Sequence, residues 1–492
     1  MQGDVVRRGR LTGERAGDMM HFLSSMNADR CIADADILVD IAHVMMLNKQ
    51  KILDDGHAKG LLSALIQIYD EGVPEAAFDD RFEDIHAGIE STLIAVVGED
   101  VGGRLHIGRS RNDEVAACMR LRLREDILKQ LTALVRLREV LLTLAEEHQG
   151  TIMPGFTHFQ HAQPTTLAHW MLAYEQAFSR DFDRLWEAYA RVNRSPLGAA
   201  AFASTTYPIN RELTAELLGF SGLVENTMDA VASRDFALEV LADLAIMMAT
   251  ASRICEDLIL WSSGFIGFVT LDDAFCSTSS IMPQKKNPDT AEIMRAKAAS
   301  LLGSFTAACA ATKGLPMSYN RDLQELTPSL WRGVWDAKHS SRLLVDMLAT
   351  AKFHADRMEA EAGKGNSTAT DLADMLVREY DLPFRTAHTI VGRAVQKGSL
   401  ELSTLDEVAK EVTGTDLSSR GLTGEKIRDA LDVRQSVALR RARGGPSELS
   451  VKVACQERNE KLRQDQDALD ERVGAVSGAI SRLIRDARGM VS

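Results

Sequence analysis

No two of the six cysteines, Cys31, Cys118, Cys255, Cys276, Cys309 and Cys455, stand close enough for a C-x-x-C or zinc-ribbon pattern. Their scatter suits buried free thiols in a reducing compartment. No apolar run approaches the roughly 20 residues of a membrane span. Residues 1–17 are charged and hydrophilic, without the apolar core of a secretory signal. A cytoplasmic protein with no membrane partner is expected. Positive charge is in deficit, with 57 Lys and Arg against 70 Asp and Glu, a net charge of −13. That balance argues against nucleic acid as a non-specific partner, without forbidding a local cationic pocket. Strand patterns are scarce; 265–271 (FIGFVTL) is the one candidate. There is no internal repeat and no low-complexity tract.

Glycine and proline are missing from 109–149, from 165–195 and from 223–263. These long breaker-free runs predict helices, and Ile127, Leu128, Leu131, Leu134, Val135, Leu141 and Leu142 recur at helical spacing within the first. Leu238, Leu241, Leu244 and Ile246 lie in a stretch apolar almost all round, which requires burial on most sides. A forty-residue helix is about 60 Å long, more than the width of a small domain. Such helices imply a bundle, completed by other copies of the chain. The expected fold is mostly α in three parts: a mixed helical start at 1–105, a long-helix bundle at 106–362, and shorter helices at 363–492, punctuated by glycine and proline.

Four polar clusters interrupt this background. Residues 102–113 (GGRLHIGRSRND) place arginines and small hydrogen-bonding groups before a long helix. They read equally as an anion site or as a capped helix start through Ser110, Asn112 and Asp113. Residues 153–164 (MPGFTHFQHAQP) hold His158 and His161, with His169 following. Acid–base work suits these histidines better than metal binding, because no Cys or carboxylate nearby completes a ligand set. Residues 277–289 (STSSIMPQKKNPD) read as a solvated loop, with Asp289 and Glu292 resembling a capping box, or as a serine held near two lysines. Residues 318–325 (SYNRDLQE) alone read as a surface loop.

Taken together and in chain order, GRSRND, THFQ with AQP, SSIMPQKKNP and YNRDLQE resemble the blocks of the argininosuccinate lyase family, within the fumarase/aspartase superfamily. The resemblance extends to 22–29, 84–90, 226–236 and 367–392, nearly the whole chain. It implies a homotetramer with a central bundle of long helices, active sites built where three chains meet, and cleavage of argininosuccinate to fumarate and arginine without metal or organic cofactor. It implies Ser279 as the base on a mobile loop, Lys285 and Asn287 binding the developing carboxylate charge, and His158 as the acid or its organiser, paired with Glu292. Ser110, Arg111, Asn112 and Thr157 would hold the succinyl carboxylates. Ser25, Asp29, Tyr319 and Gln324 would hold the amino-acid half, with His86 in or near the pocket. His161, His169 and His388 are expected to be structural, and Asp113 a cap.

The chain departs from the family pattern at Ile107, where threonine is common, and at Ala200, Ser204 and Thr278, often glycine. It also departs at Asn210, often aspartate, and at Leu326-Thr327, where many relatives carry Asp-Lys. No proposed catalytic group is lost. Thr327 leaves open a lyase for a different N-substituted aspartate. A silent protein that kept the fold is the alternative of another class.

Overall fold

The computed structural model describes residues 18–492; the hydrophilic stretch 1–17 lies outside them. The chain is overwhelmingly helical. The sheets among the described residues are three two-stranded antiparallel pairs.

After two short helical turns at Met19–Leu23 and Met26–Asp29, the first long helices are α1 (Ala33–Lys49), α2 (Asp55–Glu71) and α3 (Ile85–Val97). Helix α1 is buried on nearly every side, which its apolar residues explain, yet Asp36, Asp40 and His43 are buried with them. Their spacing places all three along one face. Helix α4 (Arg111–Glu147) runs 37 residues, about 55 Å. It opens on a full capping box, in which the Ser110 side chain and Asp113 satisfy each other's backbone amides.

A hairpin follows, β1 (Ile152–Thr157) and β2 (Gln160–Thr166), its two-residue tip formed by His158 and Phe159. Helices α5 (Leu167–Val192), α6 (Asp235–Ser262), α7 (Asp289–Thr312) and α8 (Leu326–Thr350) then pack with α4 as the central bundle. Helix α5 buries Leu167, Met171, Phe178, Phe182, Leu185, Tyr189 and Val192, an amphipathic stripe. The chain continues through α9 (Ala369–Tyr380), α10 (Phe384–Gln396), α11 (Leu402–Thr413) and α12 (Gly424–Leu431), which share a separate small core around Leu376, Ile390 and Leu405.

Three sequence expectations are corrected. The helices after Gly363 are not uniformly short: the last, α13 (Glu448–Val491), has 44 residues. It returns to the main core through Val451, Leu462, Leu469 and Leu483. Its tether is ionic as well as apolar, because the fully buried Arg138 of α4 pairs with Asp465 of α13 at 2.7 Å and with Glu175 of α5 at 2.9 Å. The strand expected at 265–271 shrinks to Val269–Thr270, paired with Lys352–Phe353, while Phe265 is exposed. The run 223–263 is two helices, because Asn226 caps a short one at Thr227–Ala232 and the backbone extends at Ser233 before α6 begins.

The bundle of one chain leaves an apolar face uncovered. Ile246 of α6, Ile293 and Leu302 of α7, and Trp335 and Leu343 of α8 are all exposed, although the same helices bury Leu241, Leu244, Leu301 and Leu344.

Candidate active site

Four segments distant in sequence, together with Arg234, converge on an open cleft whose empty space, open solvent included, is about 470 Å³. Ser25 and Asp29 come from the turn before α1. Asp84 and His86 come from the start of α3, and Arg111 and Asn112 from the first turn of α4. Tyr319 and Gln324 come from the approach to α8, and Thr327 from its first turn. The last segment hangs on the first: Arg321 and Gln324 both donate to the Leu23 carbonyl, at 3.0 and 3.2 Å, and Arg321 also pairs with Glu83. The YNRDLQE segment is therefore no free surface loop. The two readings of GRSRND merge, since Ser110 and Asp113 cap the helix while its first-turn side chains face the cleft.

The cleft is charged on both sides. Arg111 pairs with Asp84 at 3.0 Å, and Asp84 also caps α3 by accepting from the Ala87 amide at 2.8 Å. Ser25 donates to Asp29 at 2.6 Å. Burial pushes Asp29 up to about 6, although the His86 charge and the Ser25 hydroxyl pull the other way.

Behind the cleft lies a buried charge network that sequence reasoning missed. His86 donates from Nδ1 to Asp36 at 2.8 Å and faces Glu114 at 3.7 Å. Burial would depress His86, but Asp36 and Glu114, with Asp84, hold it up at about 10, so it stays an imidazolium at neutral pH. Arg109 pairs with Asp40 at 2.6 Å and Glu114 at 2.9 Å. Burial pushes Asp40 up in spite of Arg109, with Asp36 and Glu114 adding to the rise. His43, buried beside Arg109, falls to about 3 and donates as a neutral ring to the Ile107 carbonyl at 2.9 Å. The signal was present in α1: two carboxylates and a histidine on one face of an otherwise apolar helix need partners.

Asp36, His86 and Cys118 present potential ligand atoms close together, as do Asp36, Asp40 and Glu114. Their charge is already met by Arg109 and protonated His86. Burial also keeps the Cys118 thiol well above its ordinary value.

The residues expected to do the chemistry lie elsewhere on the chain. Ser279 opens a loop closed by two strand pairs, Ser277 with Asn287 and Thr278 with Lys286. Its hydroxyl accepts from the Ile281 and Met282 amides at 3.3 and 3.1 Å. Thr278 sits in a short strand, a place that suits a β-branched residue and explains why glycine is not needed there. The two lysines separate in role: Lys286 is tied to the Leu271 carbonyl and to Asp273, both at 2.5 Å, while Lys285 is exposed with no ion-pair partner among the described residues. The expected capping box does not form. Pro288 takes the N-cap position of α7, which places Asp289 and Glu292 inside the helix.

Thr157 and His158 are exposed at the hairpin, and both tip residues are left-handed, His158 at φ 56° and Phe159 at φ 57°. A two-residue turn of this hand normally carries Asn-Gly. Holding two bulky residues there costs about 1–2 kcal/mol each. Among the described residues no hydrogen bond or ion pair joins His158 to Glu292. None of Ser279, Lys285, Asn287, Glu292, His158 and Thr157 lines the cleft, nor does Ser110.

The expected structural residues behave as such. His169 bonds Thr165 at 2.8 Å and the Gly444 carbonyl at 3.0 Å, and His161 packs on Phe156. Asp113 accepts from the Gly198 and Ala200 amides at 3.0 and 2.8 Å. Ala200 and Ser204 have φ of 50° and 63°, the geometry for which glycine would be free of strain.

Two family descriptions match the chain: "Lyase" over residues 9–303 and "Argininosuccinate lyase C-terminal" over 366–438. Among curated proteins it is 62% identical to argininosuccinate lyase of Methanoculleus marisnigri over 488 residues, 99% of each chain. It is 56% identical to that of Methanospirillum hungatei, again over 99% of each. Among solved structures, EDDS lyase in complex with formate superposes with a TM-score of 0.87 at 32% identity, covering 99% of this chain and 98% of that one. A class II fumarase from Schistosoma mansoni, at 16% identity and a TM-score of 0.69 over 82% of this chain and 90% of its own, shares the fold.

Proposed function

Because the chain belongs to the argininosuccinate lyase family, of the fumarase/aspartase superfamily, we propose that its cleft and its exposed loops are two parts of one active site, joined only when copies of the chain assemble. Its reaction is the β-elimination of argininosuccinate to fumarate and L-arginine, the last step of arginine biosynthesis.

The observation that carries the proposal is this division. The cleft gathers Ser25, Asp29, Arg111, Asn112, Tyr319 and Gln324 in one chain, while Ser279, Lys285, Asn287, His158 and Thr157 lie outside it. The uncovered apolar stripe on α6, α7 and α8 supports assembly as a homotetramer through the central bundle. Six free cysteines fit a cytoplasmic enzyme, and no helix of the described residues is long and apolar enough to cross a membrane.

Elimination requires a base to remove a weakly acidic proton next to a carboxylate, whose developing second charge must be stabilised. Ser279 takes that proton. Its loop carries the unpaired Lys285 and Asn287, which meet the carboxylate when the loop closes and excludes water. His158, from the hairpin of another chain and with Glu292 as its partner there, assists departure of the guanidinium nitrogen as acid or organiser. Ser110, Arg111, Asn112 and Thr157 hold the succinyl carboxylates. Ser25, Asp29, Tyr319 and Gln324 hold the amino-acid half. No step calls for a metal or organic cofactor.

The test is to mix purified protein with argininosuccinate and follow fumarate by its ultraviolet absorbance, with Ser279→Ala in parallel. Fumarate and arginine should form, and the variant should keep its tetramer while losing at least about 10²-fold in kcat. A folded tetramer that consumes no argininosuccinate refutes the substrate. An undiminished Ser279→Ala rate refutes the base.

A further inference from the structure

Arg234, just before α6, differs from the other arginines around the cleft: it is buried, it lines the cleft, and it has no acid partner among the described residues. Only 3% of the residue is exposed. No carboxylate stands within ion-pair distance of it among the described residues. Nη1 donates to the Val231 and Ser233 carbonyls, both at 3.1 Å, which fixes the fork, while Nε has no partner. The side chain stands between the cleft and a second cavity lined by Leu315, Pro316 and Met317. Its charged neighbours do not neutralise it: Arg120 repels it, and the nearby Tyr319 phenol is pushed up by burial and stays neutral. By contrast, Arg109 and Arg111 each have two carboxylates.

A buried guanidinium without an anion is expensive, and a planar fork is the side chain best shaped to take a carboxylate. Argininosuccinate carries three carboxylates. Two belong to the succinyl half, and the third sits beside the ammonium group of the arginine half. Arg234 lines the cleft together with Tyr319 and is opposite in charge to Asp29. A free cation and a carboxylate in one small cleft are the complement of an α-amino acid zwitterion.

We infer that Arg234 anchors the α-carboxylate of the amino-acid half of the substrate, while Asp29 faces its ammonium group; the inference rests on the functional reading above. It makes Arg234 a specificity residue, whose contact is made alike in ground state and transition state. Its loss therefore raises KM and spares kcat.

The experiment compares argininosuccinate with its analogue built on agmatine, which has hydrogen in place of that carboxylate. Wild-type enzyme should prefer argininosuccinate. Arg234→Met should lower kcat/KM on argininosuccinate by about 10–100-fold, mainly through KM, and leave the analogue within about twofold, so that the preference collapses. Arg234→Lys, which keeps charge and stem, should show the same selective loss at smaller size. Equal loss on both substrates makes the role structural and overturns the inference, as does failure of both variants to fold or a wild-type enzyme indifferent to the carboxylate. A wild-type enzyme that forms no fumarate from argininosuccinate at all instead refutes the functional reading itself.

Discussion

Replacing Asp36 by asparagine tests whether the network behind the cleft works by charge. The change keeps the shape of the side chain and its contact with His86 but removes the negative charge 2.8 Å from Nδ1. A rise of the His86 pKa from 6.5 to about 10 favours the protonated folded state by at most about 5 kcal/mol, at about 1.4 kcal/mol per pH unit. The pKa is higher in the folded protein, so this stability is fully present below pH 6.5 and is lost as pH rises through 10. Linkage puts the contribution at about 4 kcal/mol at pH 7 and about 1 kcal/mol at pH 9. Asp36 acts on His86 by charge and by hydrogen bond and is the strongest of the carboxylates, with Glu114 at 3.7 Å next, so Asp36→Asn should forfeit a large part of it. Urea unfolding of wild type and variant, at one protein concentration and at pH 6, 7, 8 and 9, should show a stability gap of about 2–3 kcal/mol near neutrality that closes toward pH 9. A gap that stays constant with pH would mean that Asp36 acts by packing and hydrogen bonding, and the charge argument would be refuted.

Other expectations follow from single sites. Asp29 rises to about 6 by burial and must be ionised to meet a cation, so KM should fall as pH climbs from 5 to 7, and Asp29→Asn should flatten that profile. His158→Gly relieves a left-handed φ of 56° and removes the ring; thermal unfolding should show a gain of about 1 kcal/mol while kcat drops about 10²-fold or more. Equal changes of both quantities in the same direction would contradict the strain argument. Arg138→Met leaves Asp465 of α13 and Glu175 of α5 short of a buried cation, so denaturant unfolding should show a loss of about 3–5 kcal/mol, partly restored by adding Asp465→Asn.

How far the site was legible varies with the physics of each part. Ser110, Arg111 and Asn112 could be read directly because capping is local: an N-cap serine and an aspartate three residues later carry their own geometry. The capping box foreseen at Asp289 and Glu292 failed because Pro288 occupies the cap position, and proline's fixed φ outranks the pattern that follows it. The hairpin carrying His158 showed no turn signal, since His-Phe at its tip is a poor turn former held by the surrounding structure. Arg109 passed for one more cation in GRSRND, because its partners Asp40 and Glu114 lie on different helices. Arg234 lay inside the 226–236 resemblance but was not singled out there, because a residue without a partner has no spacing to betray it.

What the sequence alone determined is what depends on neighbours along the chain. The absence of glycine and proline over 109–149 and 165–195 yields the helices α4 and α5, and four ordered blocks point to one lyase family. Tertiary structure decided what depends on neighbours in space. It gathered Ser25, Asp84, Arg111 and Tyr319 into one cleft and sent the 44-residue terminal helix back to the central core. It also set the charge on His86, whose pKa rests mainly on Asp36 and Glu114, 50 and 28 residues away along the chain. Backbone propensity acts over a few residues. Burial and Coulomb forces act over a few ångströms, and only the folded chain says which residues those are.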